Sequence, residues 1–97
     1  MVETIQTVRH KTLVGLLVAH RKRAGLRQAD VAKRLKKAQT WVAYLESGQR
    51  RIDVVEYLAL AAAIGFDPLK ALRKIAHAPD ELLPRRENNR LRRPMRR

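Results

Sequence analysis

Cysteine is absent from this 97-residue chain. That excludes a disulfide framework and thiolate metal sites, and it fits a reducing compartment. Aromatic residues are scarce, at 4%. Ala, Leu, Val and Ile must therefore fill the small core that one domain of this length can build, which points to a helical bundle. Long apolar runs are missing too. The two longest, at 13–19 and 58–64, are seven residues each if Gly15 is counted in the first, whereas a membrane span needs about 20. The opening MVETIQTVRHK lacks the order of basic, apolar and small-residue regions that marks a secretory leader, so a cytoplasmic location is expected.

Acidic residues are also in deficit. Nine Asp and Glu stand against 22 Lys and Arg, a formal charge of +13. Residues 1–79 carry +9 of this and residues 80–97 carry +4, so the excess is not confined to the end of the chain. Between Arg21 and Lys37 lie eight basic residues and one acid, Asp30. Such density raises the local concentration of a polyanion, and each phosphate neutralised releases counterions. A solubilising face, or an acidic membrane or protein partner, would use the same charge.

Little suggests catalysis or a cofactor. No Gly-rich phosphate cradle or dense metal cluster occurs, and nothing pairs a nucleophile with a base. His10, His20 and His77 are scattered. His20 lies on an apolar stripe, where a lone histidine is usually a core-edge residue. No cofactor is expected.

Helical periodicity organises residues 10–78 into five segments, after an N-terminal extension at 1–9 that gives no clear signal. The first helix spans about 10–24, with Leu13, Leu16, Leu17, His20 and Ala24 on one stripe and Gly25 just past its end. The second covers 28–35, with Val31, Ala32 and Leu35 inward. The third covers 39–46, with Val42 and Leu45 inward and Gln39, Thr40, Ala43 and Tyr44 on the other face. Only Lys36, Lys37 and Ala38 separate these two, so they must cross steeply. The fourth runs from near Asp53 to Gly65. Asp53 and Glu56 form an acidic capping box there, and Val54, Tyr57, Leu58, Ala61 and Ile64 form the buried stripe. Asp67-Pro68 opens the fifth, whose apolar face is Leu69, Leu72, Ile75 and Ala76. Residues 79–97 are rich in Arg and Asn, interrupted by proline and poor in apolar residues, and read as a flexible basic tail.

Short helix, three-residue turn, short helix, in a basic surround, is the pattern of a helix-turn-helix. The wider order of a helix, GLRQ at 25–28, a short helix, a turn, QTWVAYLESG at 39–48, a loop and a further helix resembles the lambda repressor and Cro-like, or XRE, family. RRIDVVEYLALAAAIGFDP at 50–68 resembles that family's fourth-helix segment. The resemblance covers about residues 16–72. It implies an all-α, five-helix, lambda-repressor-like domain that binds double-stranded DNA, usually as a homodimer.

The resemblance also implies roles by position. Gln39 and Thr40 fall where bases are read, with Ala43 and Tyr44 one turn on. A Gln amide can bond adenine at its ring nitrogen and amino group together. Gln28 falls where an amide contacts the DNA backbone and supports residue 39. Trp41, Lys37, Arg50 and Arg51 are candidates for backbone contacts, Trp41 through its indole N–H or else as part of the core. Arg34 and Lys36 are further electrostatic candidates. Arg21 and Glu46 match a structural salt bridge. Three positions depart from the family pattern. Arg27 and Ala38 stand where hydroxyl caps are common, each loss costing ~1 kcal/mol. Lys36 stands where glycine is usual, and a side chain in a left-handed backbone costs about 1–2 kcal/mol.

The function expected from these residues is a sequence-specific transcriptional regulator, a repressor in its simplest form, of bacterial or phage type. The alternative is an antitoxin or adaptor whose tail or fifth helix grips a protein partner, a toxin or another regulator. A basic amphipathic membrane or RNA binder is the weaker reading, because every helix has an apolar stripe and a mutual core accounts for all of them.

Overall fold

A computed structural model describes residues 7–79. The expectations for the start of the N-terminal extension (1–6) and for the tail beyond residue 79 lie outside them. The described residues form five helices and no strand: α1 Val8–Arg23, α2 Gln28–Leu35, α3 Gln39–Glu46, α4 Val54–Ile64 and α5 Pro68–Ala76.

Each helix starts or stops for a local reason. The Thr7 hydroxyl accepts from the His10 N–H at 3.1 Å and starts α1 two residues ahead of the expected position. Three cations, Arg21 to Arg23, lie in the last turn, at the negative end of the helix dipole. Asp53 and Glu56 cap α4 reciprocally, at 2.7 and 3.1 Å. Asp67 accepts from the Leu69 and Lys70 N–H groups ahead of α5, with Pro68 in its first turn. Gly65 turns the chain between them at φ 96°, a conformation that is costly with a side chain.

One core joins Leu17, Val31, Ala32, Val42, Leu45, Tyr57, Leu60 and Ile64. The inward residues expected for α2 and α3 hold this core. Tyr57 is buried, and its hydroxyl donates to the Pro68 carbonyl, so the polar tip is satisfied. Phe66 closes the base, edge-on to Tyr57 and stacked on His20 at 4.3 Å. Burial, then the charges of Arg23 and Lys74, push the His20 imidazole below its ordinary value. This is the core-edge role expected of it.

Three apolar faces differ from expectation. In α1 the buried line is His10, Val14, Leu17 and Arg21, whereas Ala24 is exposed. Two polar residues sit in that line because partners satisfy them: a His10 ring nitrogen donates to the Gly48 carbonyl at 3.1 Å, and Arg21 pairs with Glu46. In α4, Leu60 is buried while Val54 and Leu58 are 70% and 48% exposed. That helix is apolar nearly all round, so periodicity alone cannot choose its inner face. In α5 the packing residue is Ala71, and Leu69 and Leu72 stand 67% and 46% exposed. A small residue lets the helix approach closely, and the larger ones are left on the rim of an open apolar groove shared with Leu13, Ile52, Val54 and Leu58.

Candidate nucleic-acid interface

The turn between α2 and α3 is built by its backbone. The Lys37 N–H reaches back to the Ala32 carbonyl at 2.9 Å and the Lys36 N–H to Lys33 at 3.2 Å. This wrapped helix end requires a left-handed residue, and Lys36 takes that role at φ 58°, ψ 44°. It is the one non-glycine with positive φ among the described residues. Lys36→Gly should therefore raise stability by about 0.5–1 kcal/mol, the relief of strain less the extra freedom of an unfolded glycine. Urea titration measures this; an unchanged or lower midpoint would show that the turn is not strained.

The two departures at the helix caps have different outcomes. At Arg27 the missing hydroxyl is partly replaced from inside α2. The Asp30 carboxylate accepts from the Arg27 N–H at 2.7 Å and from its guanidinium at 2.9 and 3.1 Å. The guanidinium bond, followed by the N–H, draws the Asp30 carboxyl down to about 2. The lock is therefore present at neutral and mildly acid pH and is lost as the pH falls toward that value. At Ala38 nothing substitutes: among the described residues no side chain caps the start of α3. The positive end of that helix dipole faces outward with no acceptor among those residues.

On α3, Val42 and Leu45 are buried at 2% and 1% exposure. Gln39 and Thr40 are exposed, Ala43 is half-buried and Tyr44 is exposed. At 100° per residue these four span an arc of about 140°, turned away from the inward pair. The structure thus brings all four together on one open face.

Behind that face runs a chain of hydrogen bonds. Arg21 grips Glu46 with two parallel bonds, Nε to Oε2 at 2.7 Å and Nη2 to Oε1 at 2.9 Å. Both side chains are about one-tenth exposed, and the bond to Glu46 raises the Arg21 pKa further. A third guanidinium nitrogen, Nη1, donates to the Leu26 carbonyl, so Arg21 ties α1, the loop and α3 together. Gln28 Nε2 donates to Glu46 Oε1 at 2.8 Å, and Gln39 Nε2 donates to Gln28 Oε1 at 2.7 Å. Gln28 is thus positioned to support residue 39.

The flanking cations are placed unequally. Trp41 is half-buried against the core, with Lys37 Nζ 5.1 Å and Arg50 Cζ 5.8 Å from its ring centre. Its indole N–H donates to nothing among the described residues. Lys37 is exposed beside it. Arg50 binds Glu56 at 2.6 and 3.1 Å, and its Nη1 also donates to the Arg51 carbonyl. That pairing raises the pKa of Arg50 and lowers that of Glu56. Arg50 therefore braces the start of α4 against α3. Arg51 is exposed and borders a hollow with Thr7, Arg9 and His10, toward the start of α1. Arg34 donates to the Ala63 carbonyl at 2.6 Å and holds the end of α4.

The sequence reading gave no role to Thr7 and placed His10 only among scattered histidines. Thr7 carries the ordinary signal of a hydroxyl residue before a helix. His10 carries none, because its Gly48 partner is 38 residues away. Arg9, also unremarked, donates to the Ala78 and Ala76 carbonyls and fastens the end of α5 to α1. Among the described residues no group of His, Asp and Glu could hold a metal, and no helix is long and apolar enough to cross a membrane.

Two short helices crossing at a tight turn, the second with its polar face outward among cations, define a helix-turn-helix domain. A family model described as a helix-turn-helix domain matches residues 12–73. A solved XRE-family like protein from Pseudomonas syringae pv. tomato str. DC3000 is 34% identical, with a TM-score of 0.67 over 78% of this chain and 88% of that one. The chain belongs to the XRE-type helix-turn-helix family of DNA-binding proteins. The clp gene regulator ClgR from C. glutamicum shares the fold at 18% identity, with a TM-score of 0.64 over 70% of this chain and 88% of that one. No curated protein matches the chain.

Proposed function

We propose that the protein is a sequence-specific transcriptional repressor that lays α3 in the major groove of double-stranded DNA. The observation that carries this reading is the outward face of Gln39 and Thr40 on a helix whose opposite side is buried. Gln39 and Thr40 read base edges, with Ala43 and Tyr44 extending the surface. Gln28, Lys37, the Trp41 indole and the uncapped start of α3 hold phosphates. Arg51 adds to the attraction at longer range, and Arg50 positions Trp41.

The active form is a homodimer. Val54, Leu58, Leu69 and Leu72 are exposed side chains on one continuous apolar groove, and a second copy would cover them. Two copies place two recognition helices about one turn of DNA apart. The same groove supports the alternative, an antitoxin or adaptor that holds a protein partner on α5.

Selection from random duplex DNA at physiological salt tests the reading. The expected product is a motif with twofold symmetry and half-sites about 34–36 Å apart. A pool that stays random would refute sequence-specific recognition, and an enriched motif without symmetry would refute the homodimer. Trp41 is the sole tryptophan, so its fluorescence reports occupancy of the interface directly.

A further inference from the structure

The hydrogen-bond chain behind α3 has a direction. A glutamine amide can present either its oxygen or its NH2 group to a neighbour, and an isolated one turns over freely. A carboxylate has no proton to give, so it only accepts. Glu46 is such a group, and the two parallel bonds from Arg21 keep it from swinging away. The end of Gln28 that faces Glu46 must therefore be its NH2, as found at 2.8 Å. The oxygen of Gln28 then faces Gln39, and the end of Gln39 that meets it must also be NH2, at 2.7 Å. One fixed negative charge sets the order of donor and acceptor two residues away.

The consequence falls on the outward side of Gln39. With one N–H given to Gln28, the amide keeps one N–H and its oxygen for DNA. Adenine offers an acceptor at N7 and a donor at N6, which this order matches. Guanine offers two acceptors, N7 and O6, so its O6 would meet the Gln39 oxygen. An amide free to turn over could instead donate to O6.

We propose that Glu46 is a positioning residue for base recognition, fixing the Gln39 amide through Gln28 so that adenine is favoured over guanine. The inference rests on the assignment of Gln39 as a base reader. It goes beyond the salt bridge, because it assigns Glu46 an effect on which base is chosen and not only on stability.

The test is parallel selection from one random duplex pool with wild type, Gln39→Ala, Glu46→Gln, Gln28→Met and Leu60→Val. Glu46→Gln makes the controlling group neutral and two-faced. Gln28→Met cuts the relay while leaving the Arg21–Glu46 bridge in place, so it serves if Glu46→Gln fails to fold. Leu60→Val lowers stability from α4, outside the relay. Gln39→Ala locates the base in question, as the position where preference relaxes. There the wild-type adenine-over-guanine ratio should be about tenfold or more, and it should fall to about threefold or less in Glu46→Gln and Gln28→Met. Leu60→Val should keep the wild-type ratio. If Gln39→Ala relaxes a position but folded Glu46→Gln keeps its ratio, or Gln28→Met keeps it, the inference fails and the reader assignment stands. If Gln39→Ala relaxes nothing, the reader assignment fails and the inference falls with it. A ratio that falls equally in Leu60→Val would also overturn it, since loss of stability alone would then be enough.

Discussion

Glu46→Ala is expected to cost about 3–5 kcal/mol of stability, the usual penalty for removing one partner of a buried ion pair. A domain of this size holds only about 4–10 kcal/mol in total, so the variant would be close to unfolding at 37 °C. The reason lies in what is left behind. Arg21 would remain in the buried line of α1 with its Nε and Nη2 donors unpaired, retaining only its bond to the Leu26 carbonyl. Gln28 would lose its acceptor as well. The pair itself is not the source of this energy. Burying two charges costs nearly as much as their attraction returns, so Arg21→Met combined with Glu46→Leu should recover most of the loss. Urea denaturation of the two single variants and the double variant measures both statements. A single-variant loss below about 1 kcal/mol would place the pair with ordinary surface bridges, which contribute about that much or less.

This pair also shows why some of the fold was legible in the sequence and some was not. Helix ends were legible because their signals are local: Asp53 with Glu56, Asp67 with Pro68, and Gly25 and Gly65 act within one turn of where they stand. The left-handed residue at Lys36 was legible for the same reason, once the turn was recognised. Inner faces were legible only where polar and apolar residues alternate strongly, as in α2 and α3. Periodicity leaves Arg21 and His10 off the apolar stripe of α1; the family pattern supplied the Arg21–Glu46 pair, whereas nothing local signals the burial of His10, whose partner Gly48 is 38 positions away. In α4, where nearly every residue is apolar, the pattern gives no direction, and tertiary packing selected Leu60 over Leu58. The outward side of α3 was legible from its own polar and apolar pattern, and the family pattern supplied the pairing of residue 39 with Gln28. What the family pattern could not supply was the fate of individual cations. Arg50 is charged and close to α3, but Glu56 holds it. Lys37, next to the same tryptophan, makes no ion pair among the described residues, although its charge is felt at Glu56.

That distinction frames the second large effect. Gln39→Ala should weaken binding to the selected site by about 1–3 kcal/mol per half-site, and by roughly twice that for a dimer carrying the change in both copies. The loss should be selective. On a duplex whose base at that position is already wrong, the variant should bind about as well as wild type. The dependence on salt should not change, because Gln39 carries no charge and neutralises no phosphate. Lys37→Ala should behave in the opposite way. It should weaken binding to every duplex alike and lower the salt slope by about one unit per copy, since one counterion fewer is released. The two variants lie two positions apart on either side of an uncapped helix start, so position alone cannot explain opposite behaviour; the difference must come from amide against ammonium. Fluorescence titrations of Trp41 with cognate and single-substituted duplexes at several salt concentrations would read both quantities in one series. A uniform loss for Gln39→Ala would move that residue from base reading to backbone attachment, and would leave Thr40 and Tyr44 as the groups on α3 able to distinguish one sequence from another.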